Sequence, residues 1–391
     1  MGEEGQRVRL ALIKKRFSFY GGAERYLQTL IKNFKKAGHE IHVFANKWSK
    51  EEGVIFHKIN ILSLGSFLST ITFNRNVKKT LKKKARPDCV ISFERTTCQD
   101  IYRAGEGCHA EWLEIRSKTE PFHKRLSFRI NPLHISLLNL EKKLFSNTGL
   151  IVANSKMVKE QIMKHYAVPD ERITIIYNGV DLKRFTPENK NSSRDTPRKS
   201  LGISKDSKIL LFVGSGFERK GLKTLIDSIP LLKKDDIKVL VIGKGNAKKY
   251  KILAERQSIS EKIIFLKPQK KIEKFYAAAD LFILPTLYDP FSNAALEAMA
   301  SGLPVITTKN NGVTEFIENG YEGFVLNDIF DPQELADKIY LTLGNLKIMG
   351  EKAREKAEDF PIERAALEFI KAIEQVTDAK NLDRRNRLND F

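Results

Sequence analysis

A chain of 391 residues is longer than one typical domain, and 41% hydrophobic with 30% charged residues is the balance of a folded globular protein. No run of about 18 apolar residues is present, and the opening "MGEEGQRVRLALIKKRF" lacks a signal-peptide cleavage pattern, so a cytoplasmic protein without a membrane span is expected. A net charge of +20 implies anionic partners, namely nucleic acid, phosphorylated small molecules or an acidic membrane surface, unless the excess lysine is only a solvated surface.

In chain order, "VRLALI" reads as a buried strand. "AERYLQTLIKNFKKAG" is then an amphipathic helix with Gly38 as its stop. "EIHVFA", "DCVISF" and "LIVAN" follow as further buried strands of the first half. The polar stretch "TPENKNSSRDTPRKS", residues 186–200, has two prolines and no apolar period, and reads as a linker. After it "KILLFVG", "IKVLVIG", "KIIFL", "DLFILP" and "LPVIT" restart the strand pattern. "PIERAALEFIKAIEQV" is an amphipathic helix, and "KNLDRRNRLNDF" a basic tail.

Strands alternating with helices predict parallel, doubly wound sheets. The expected fold class is α/β, with two Rossmann-like domains facing across a cleft. The first spans 1–185 and the second 186–365, with a C-terminal helix and tail over 366–391 that can return to the first domain. Open parallel sheets bind ligands at the carboxyl ends of their strands, so functional motifs should follow strands closely.

Three do. "YGGAERYL" places Gly21 and Gly22 where backbone could approach a ligand at a helix start, although a tight strand-to-helix turn explains two glycines equally well. "VGSGFERKGLKTLI" sets Arg219 and Lys220 on a glycine-flanked loop after a strand. Leu222 stands where a P-loop needs lysine, so that motif is rejected, but two adjacent cations suit a diphosphate. In "IGKGNAKK", Lys248 occupies the last glycine of a dinucleotide fingerprint, which leaves a strand-end turn.

The third is "YDPFSNAALEAMASGLPVITT". Asp289 lies on a loop, Ser292 is the expected N-cap, and Asn293 and Ala294 begin a helix that carries Glu297 and ends at Gly302. Small residues let a ligand rest on the helix N-terminus, whose amides suit phosphate. A carboxylate on either side of a phosphate matches a sugar nucleotide, with hexose hydroxyls at one end and ribose hydroxyls at the other.

These stretches, with "IVANSKMVKEQI" and "IIYNGVDLKRF", resemble the retaining glycosyltransferases of family 4, which have the GT-B architecture. The resemblance runs over nearly the whole chain. The family's signature of two glutamates separated by seven residues is present with Asp289 in the first place, a carboxylate shorter by one methylene. By resemblance, Arg219 and Lys220 clamp the diphosphate, Glu297 binds the ribose and Asp289 holds the hexose. Gly21 and Gly22 approach the donor phosphate and the acceptor.

"FSFYGGAERYLQTL" and "CQDIYRAGEGCHAEWLE" look most like the lipopolysaccharide-core glucosyltransferases within the family. That likeness puts Asp100 on an acidic position facing the acceptor, with Glu106 and His109 as further acceptor-side candidates. It also makes residues 112–145, where Trp112, Phe122 and Phe128 alternate with Arg116, Lys124, Arg125 and Arg129, a membrane-contact region. The alternative is a helix packing its aromatics inward.

The function expected is transfer of a hexose, with UDP-glucose as the expected donor, to a glycan or glycolipid on the inner face of the cytoplasmic membrane. Catalysis is assigned to Asp100, Asp289, Arg219 and Lys220. No bound cofactor is expected and no metal, since Cys89, Cys98 and Cys108 show no C-x-x-C spacing and the seven histidines form no ligand cluster. No nucleic-acid partner is expected, since no nucleic-acid-binding motif appears. A sugar-nucleotide epimerase or glycan phosphorylase on the same fold, and a basic nucleic-acid-binding protein, are the alternatives.

Overall fold

A computed structural model describes residues 7–16, 22–48, 51–84, 87–232 and 236–389. The chain forms two compact units, one of residues 1–177 and 363–391 and the other of residues 178–362.

In the first unit the strands are β1 (Arg9–Ile13), β2 (Glu40–Ala45), β3 (Val54–Lys58), β4 (Cys89–Ser92), β5 (Ile101–Arg103), β6 (Leu150–Ala153) and β7 (Ile173–Ile175). They lie in the order β3-β2-β1-β4-β5-β6-β7, every pairing parallel. β4 and β6 are buried along their whole length because helices cover both faces of such a sheet, hence their continuous apolar runs. The helix Gly22–Lys36 buries Leu27, Leu30, Ile31 and Phe34, one stripe at helical spacing. It stops where Gly38 takes φ +82° and its N–H bonds the Lys35 carbonyl at 3.0 Å.

The second unit has β8 (Lys208–Val213), β9 (Ile237–Ile242), β10 (Ile263–Leu266), β11 (Leu281–Leu284), β12 (Val305–Thr308) and β13 (Gly323–Leu326). Their order is β10-β9-β8-β11-β12-β13, again all parallel. The order reverses between β1 and β4 in one sheet and between β8 and β11 in the other, the positions where such sheets hold ligands.

The polar stretch 186–200 is not the crossover. It folds into the short helices Asn189–Ser193 and Asp195–Ser200 within the second unit. Arg198 is fully buried there, its guanidinium pairing with Asp280 at 2.8 Å and donating to the carbonyls of Ala278 and Ser207 at 3.0 and 2.9 Å. The chain passes between units at Tyr177/Asn178 and Ile362/Glu363. On the second unit's side these strands are stitched together: Val180 N–H donates to the Phe360 carbonyl, and Ile362 N–H to Val180, both at 3.0 Å. A Cβ on Gly179 would lie 2.3 Å from Ile362 Cα, so only glycine fits. The helix Ile362–Asn389 belongs from Glu363 onward to the first unit, where Phe369 packs against Phe34 and Phe93.

Candidate active site

The loops after β8 and β11 meet in the second unit. Lys220 Nζ forms an ion pair with Asp289 Oδ2, and both side chains are buried. Burial pulls the Lys220 ammonium below its usual range and Arg219 lowers it further, while Asp289 raises it. Arg219 is half-buried and donates Nη1–H to the Tyr288 carbonyl at 2.7 Å. Among the described residues it has no carboxylate partner, so most of its guanidinium donors remain available.

Glycines make this approach possible. Gly221 takes φ +74°, and a Cβ there would lie 1.7 Å from the Pro285 carbonyl oxygen. The loop after β8 is thereby pressed onto the loop after β11. Asn311, fully buried, holds the latter from below, its Oδ1 accepting from Ser292 N–H at 3.2 Å and Val313 N–H at 3.3 Å.

The helix Asn293–Ala300 starts with Ser292 as N-cap, its hydroxyl accepting from Ala295 N–H at 3.3 Å. The amides of Asn293 and Ala294 have no partner among the described residues, and they stand at the positive end of the helix dipole. One turn on, Glu297 is buried with Tyr276, whose hydroxyl lies 3.0 Å from Oε2 and 3.1 Å from the Ala294 carbonyl. Phe291, between Asp289 and Ser292, packs edge-on to Phe316, which stacks on Phe360 at 3.8 Å. The second unit thus brings Arg219, Lys220, Asp289, Ser292, Asn293, Ala294 and Glu297 onto two neighbouring loops and one helix.

The first unit requires a correction. Asp100 precedes β5, and its Oδ2 accepts from Val90 N–H at 2.8 Å and Lys380 Nζ at 2.9 Å. That is the amino end of the sheet, opposite to the ligand-binding edge, so Asp100 ties the last helix to β4 and β5 and does not face an acceptor. Glu106 and His109 do follow the carboxyl end of β5. Arg95 links them, pairing with Glu106 Oε2 at 2.5 Å and Glu141 Oε1 at 2.8 Å, while His109 N–H also donates to Glu141 Oε1 at 2.8 Å. His109 Nε2 lies 3.1 Å from His134 Nδ1. Burial, with Arg95 adding to it, pushes the His109 imidazole down to about 4, so it is neutral near pH 7. Gly22 opens its helix, and Gly21 lies outside the described residues.

Residues 20–184 match the family described as Glycosyltransferase Family 4, and residues 193–359 match Glycosyl transferases group 1. The chain is a glycosyltransferase carrying both of these domains. The lipopolysaccharide glucosyltransferase WaaG of Escherichia coli K12 is 26% identical over 353 residues, 87% of this chain and 91% of that protein. The D-inositol 3-phosphate glycosyltransferase of Corynebacterium glutamicum is 27% identical, over 62% of this chain and 61% of its own. A crystal structure of WaaG superposes with TM-score 0.82 at 24% identity, covering 94% of this chain and 99% of that one. The Anabaena protein Alr3699/HepE, solved with UDP-glucose, superposes at 0.72 and 18%, over 94% and 100%. The fold is GT-B, with two parallel-sheet units.

In this glycosyltransferase sequence reasoning missed several groups. Lys14 and Glu94 pair at 3.0 Å just past the carboxyl ends of β1 and β4, where the first sheet's order reverses. Burial raises the Glu94 carboxyl. Arg95 and Glu94 follow "DCVISF" directly, so the strand-end rule could have found them. Tyr276, Asn311 and Glu141 carry no local signal. Among the described residues Glu111, Glu114 and His165 lie close enough to share a cation, but the Lys164 ammonium already sits 3.1 and 2.7 Å from the two carboxylates. No described helix is long and apolar enough to cross a membrane.

Proposed function

We propose that this glycosyltransferase moves a hexose, with glucose and UDP as first choices, to a hydroxyl of a glycan or glycolipid with retention of configuration. The product would belong to lipopolysaccharide core or another cell-envelope polysaccharide, a reading supported by the name of the Escherichia coli relative. The observation that carries the donor site is the Lys220–Asp289 pair beside Arg219 and the open amides of Asn293 and Ala294. As the bond from hexose C1 to the diphosphate oxygen breaks, Arg219, Lys220 and those amides take up the developing charge. The acceptor oxygen bonds to C1 on the same face and passes its proton to the leaving phosphate. The charge is met by the protein's own donors, so the proposed reaction uses no metal or bound cofactor. Asp289 is assigned to the hexose and Glu297 to the ribose.

Screening UDP-, GDP- and ADP-sugars for nucleotide release and product tests this. UDP-glucose should be consumed, the new linkage should be α, and excess EDTA should leave the rate unchanged. A β-linked product would refute retention, and absence of turnover with every sugar nucleotide would refute the donor assignment.

We further propose that the enzyme works on the cytoplasmic face of an anionic membrane without inserting a span. The helix Phe122–Ile130 supports this, exposing Phe122, Leu126 and Ile130 together with Lys124, Arg125 and Arg129. Phe128 points the other way, buried under the Arg116 guanidinium at 4.5 Å. This combination favours a lipid surface over nucleic acid as the partner of the basic charge. Flotation with anionic vesicles should show binding that falls as salt rises. Equal binding to neutral vesicles would contradict it.

A further inference from the structure

The Asn178 side chain donates Nδ2–H to Asn293 Oδ1, across 115 residues of sequence. Asn178 is buried, and it is the first residue of the second unit, adjoining the stitched segment in which Gly179 touches Ile362 and Val180 bonds Phe360 and Ile362. Asn293 is the first residue of the donor helix and is half-buried. An amide has an oxygen face and an NH₂ face. Once the Asn293 oxygen is taken by Asn178, its NH₂ must face the other way, and among the described residues that NH₂ has no partner. It is then a third donor beside the open amides of Asn293 and Ala294.

We infer that Asn178 is a positioning residue: it fixes the Asn293 side chain so that its NH₂, not its oxygen, meets the phosphate oxygens of the donor. This rests on the donor-site reading above. A flipped Asn293 would present a carbonyl oxygen to an anion, which repels where the native orientation attracts. The stitched crossover gives Asn178 a rigid base, and rigidity is what lets one amide hold another in register.

Calorimetry with UDP tests the inference on wild type, N178A, N178D, N293A and N178A/N293A. N178A should weaken UDP by a few-fold, because Asn293 becomes free to rotate. N178D offers only acceptors, draws the Asn293 NH₂ to itself and should weaken UDP at least about tenfold. In the N293A background the effect of N178A should vanish, since the two residues act through one contact. N178A and the double variant keep the test decisive should N178D not fold. Equal losses from N178A in both backgrounds, or an N178D protein that binds UDP like wild type, would overturn the positioning role while leaving the donor site standing. A wild-type protein that does not bind UDP would overturn the donor reading, and this inference with it.

Discussion

Lys220 and Asp289 lie 69 residues apart in the chain and close into one buried ion pair, because the strands before them, β8 and β11, are neighbours in the sheet. Neither is a free charge in the empty enzyme. Removing one partner strands the other in a desolvated place, so Lys220→Ala or Asp289→Asn should each cost about 3–5 kcal/mol of stability. Lys220→Met with Asp289→Leu should cost clearly less than the sum. Urea unfolding of the single and double variants measures this, and additive losses would mean that the two charges act independently.

The two carboxylates should separate by ligand. Asp289→Asn should impair transfer and blur choice among sugars, yet leave UDP affinity nearly unchanged, because free UDP carries no hexose. Glu297→Gln should weaken UDP itself through the ribose. Calorimetry with UDP alone decides: the reverse pattern would exchange the two assignments.

Arg219→Ala should lower turnover by about 2.7–4 kcal/mol of barrier, the scale of losing a donor to developing charge. Among the described residues its side chain has only the Tyr288 carbonyl as partner, so Tm should move little. Wild-type turnover in the folded variant would remove Arg219 from the mechanism.

Gly221 and Gly202 both have positive φ, +74° and +66°, but only Gly221 has a backbone carbonyl where Cβ would go. Gly202→Ala should cost about 1–2 kcal/mol, the left-handed penalty alone. Gly221→Ala adds a clash worth about 1–3 kcal/mol more and should also disturb Arg219 and Lys220. Similar denaturation midpoints for the two variants would show that the loop simply moves aside.

His109 sets an acid limit in the first unit. Its folded-state value of about 4 lies below the 6.5 of an ordinary histidine, so between these the unfolded chain binds more protons. Stability is therefore full above about pH 6.5 and is lost as pH falls toward 4, by at most about 3 kcal/mol before solvent screening. His109→Gln should flatten that part of the stability–pH curve. An unchanged slope would place the acid sensitivity elsewhere.

Some of this was readable before any coordinates. Apolar runs flanked by helical periodicity identified β1, β2, β4, β6, β8, β9, β11 and β12, because strands buried on both faces must be apolar throughout, and the partly buried edge strand β10 showed through its apolar run alone. The strands that escaped lack that signal. β3 is an edge strand with Ile55 and Phe56 partly exposed, β5 and β7 have three residues each, and β13 opens on Gly323. The motifs of the candidate site were legible because they follow strands within a few residues, and the resemblance pointed to a glycosyltransferase. Pairing across the chain was not legible. That Lys220 pairs with Asp289, that Glu297 meets Tyr276, and that Asn178 donates to Asn293 all follow from tertiary packing, which local sequence does not encode. Asp100 shows the same limit: resemblance put it near an acceptor, but the direction of β5 puts it at the sheet's other end. Polarity misled at 186–200 for a related reason, since Arg198 meets Asp280 and the Ala278 carbonyl, about 80 residues further along the chain, only once the second unit has folded. Local pattern is set by which faces must be buried, whereas a site is set by which strand ends become neighbours.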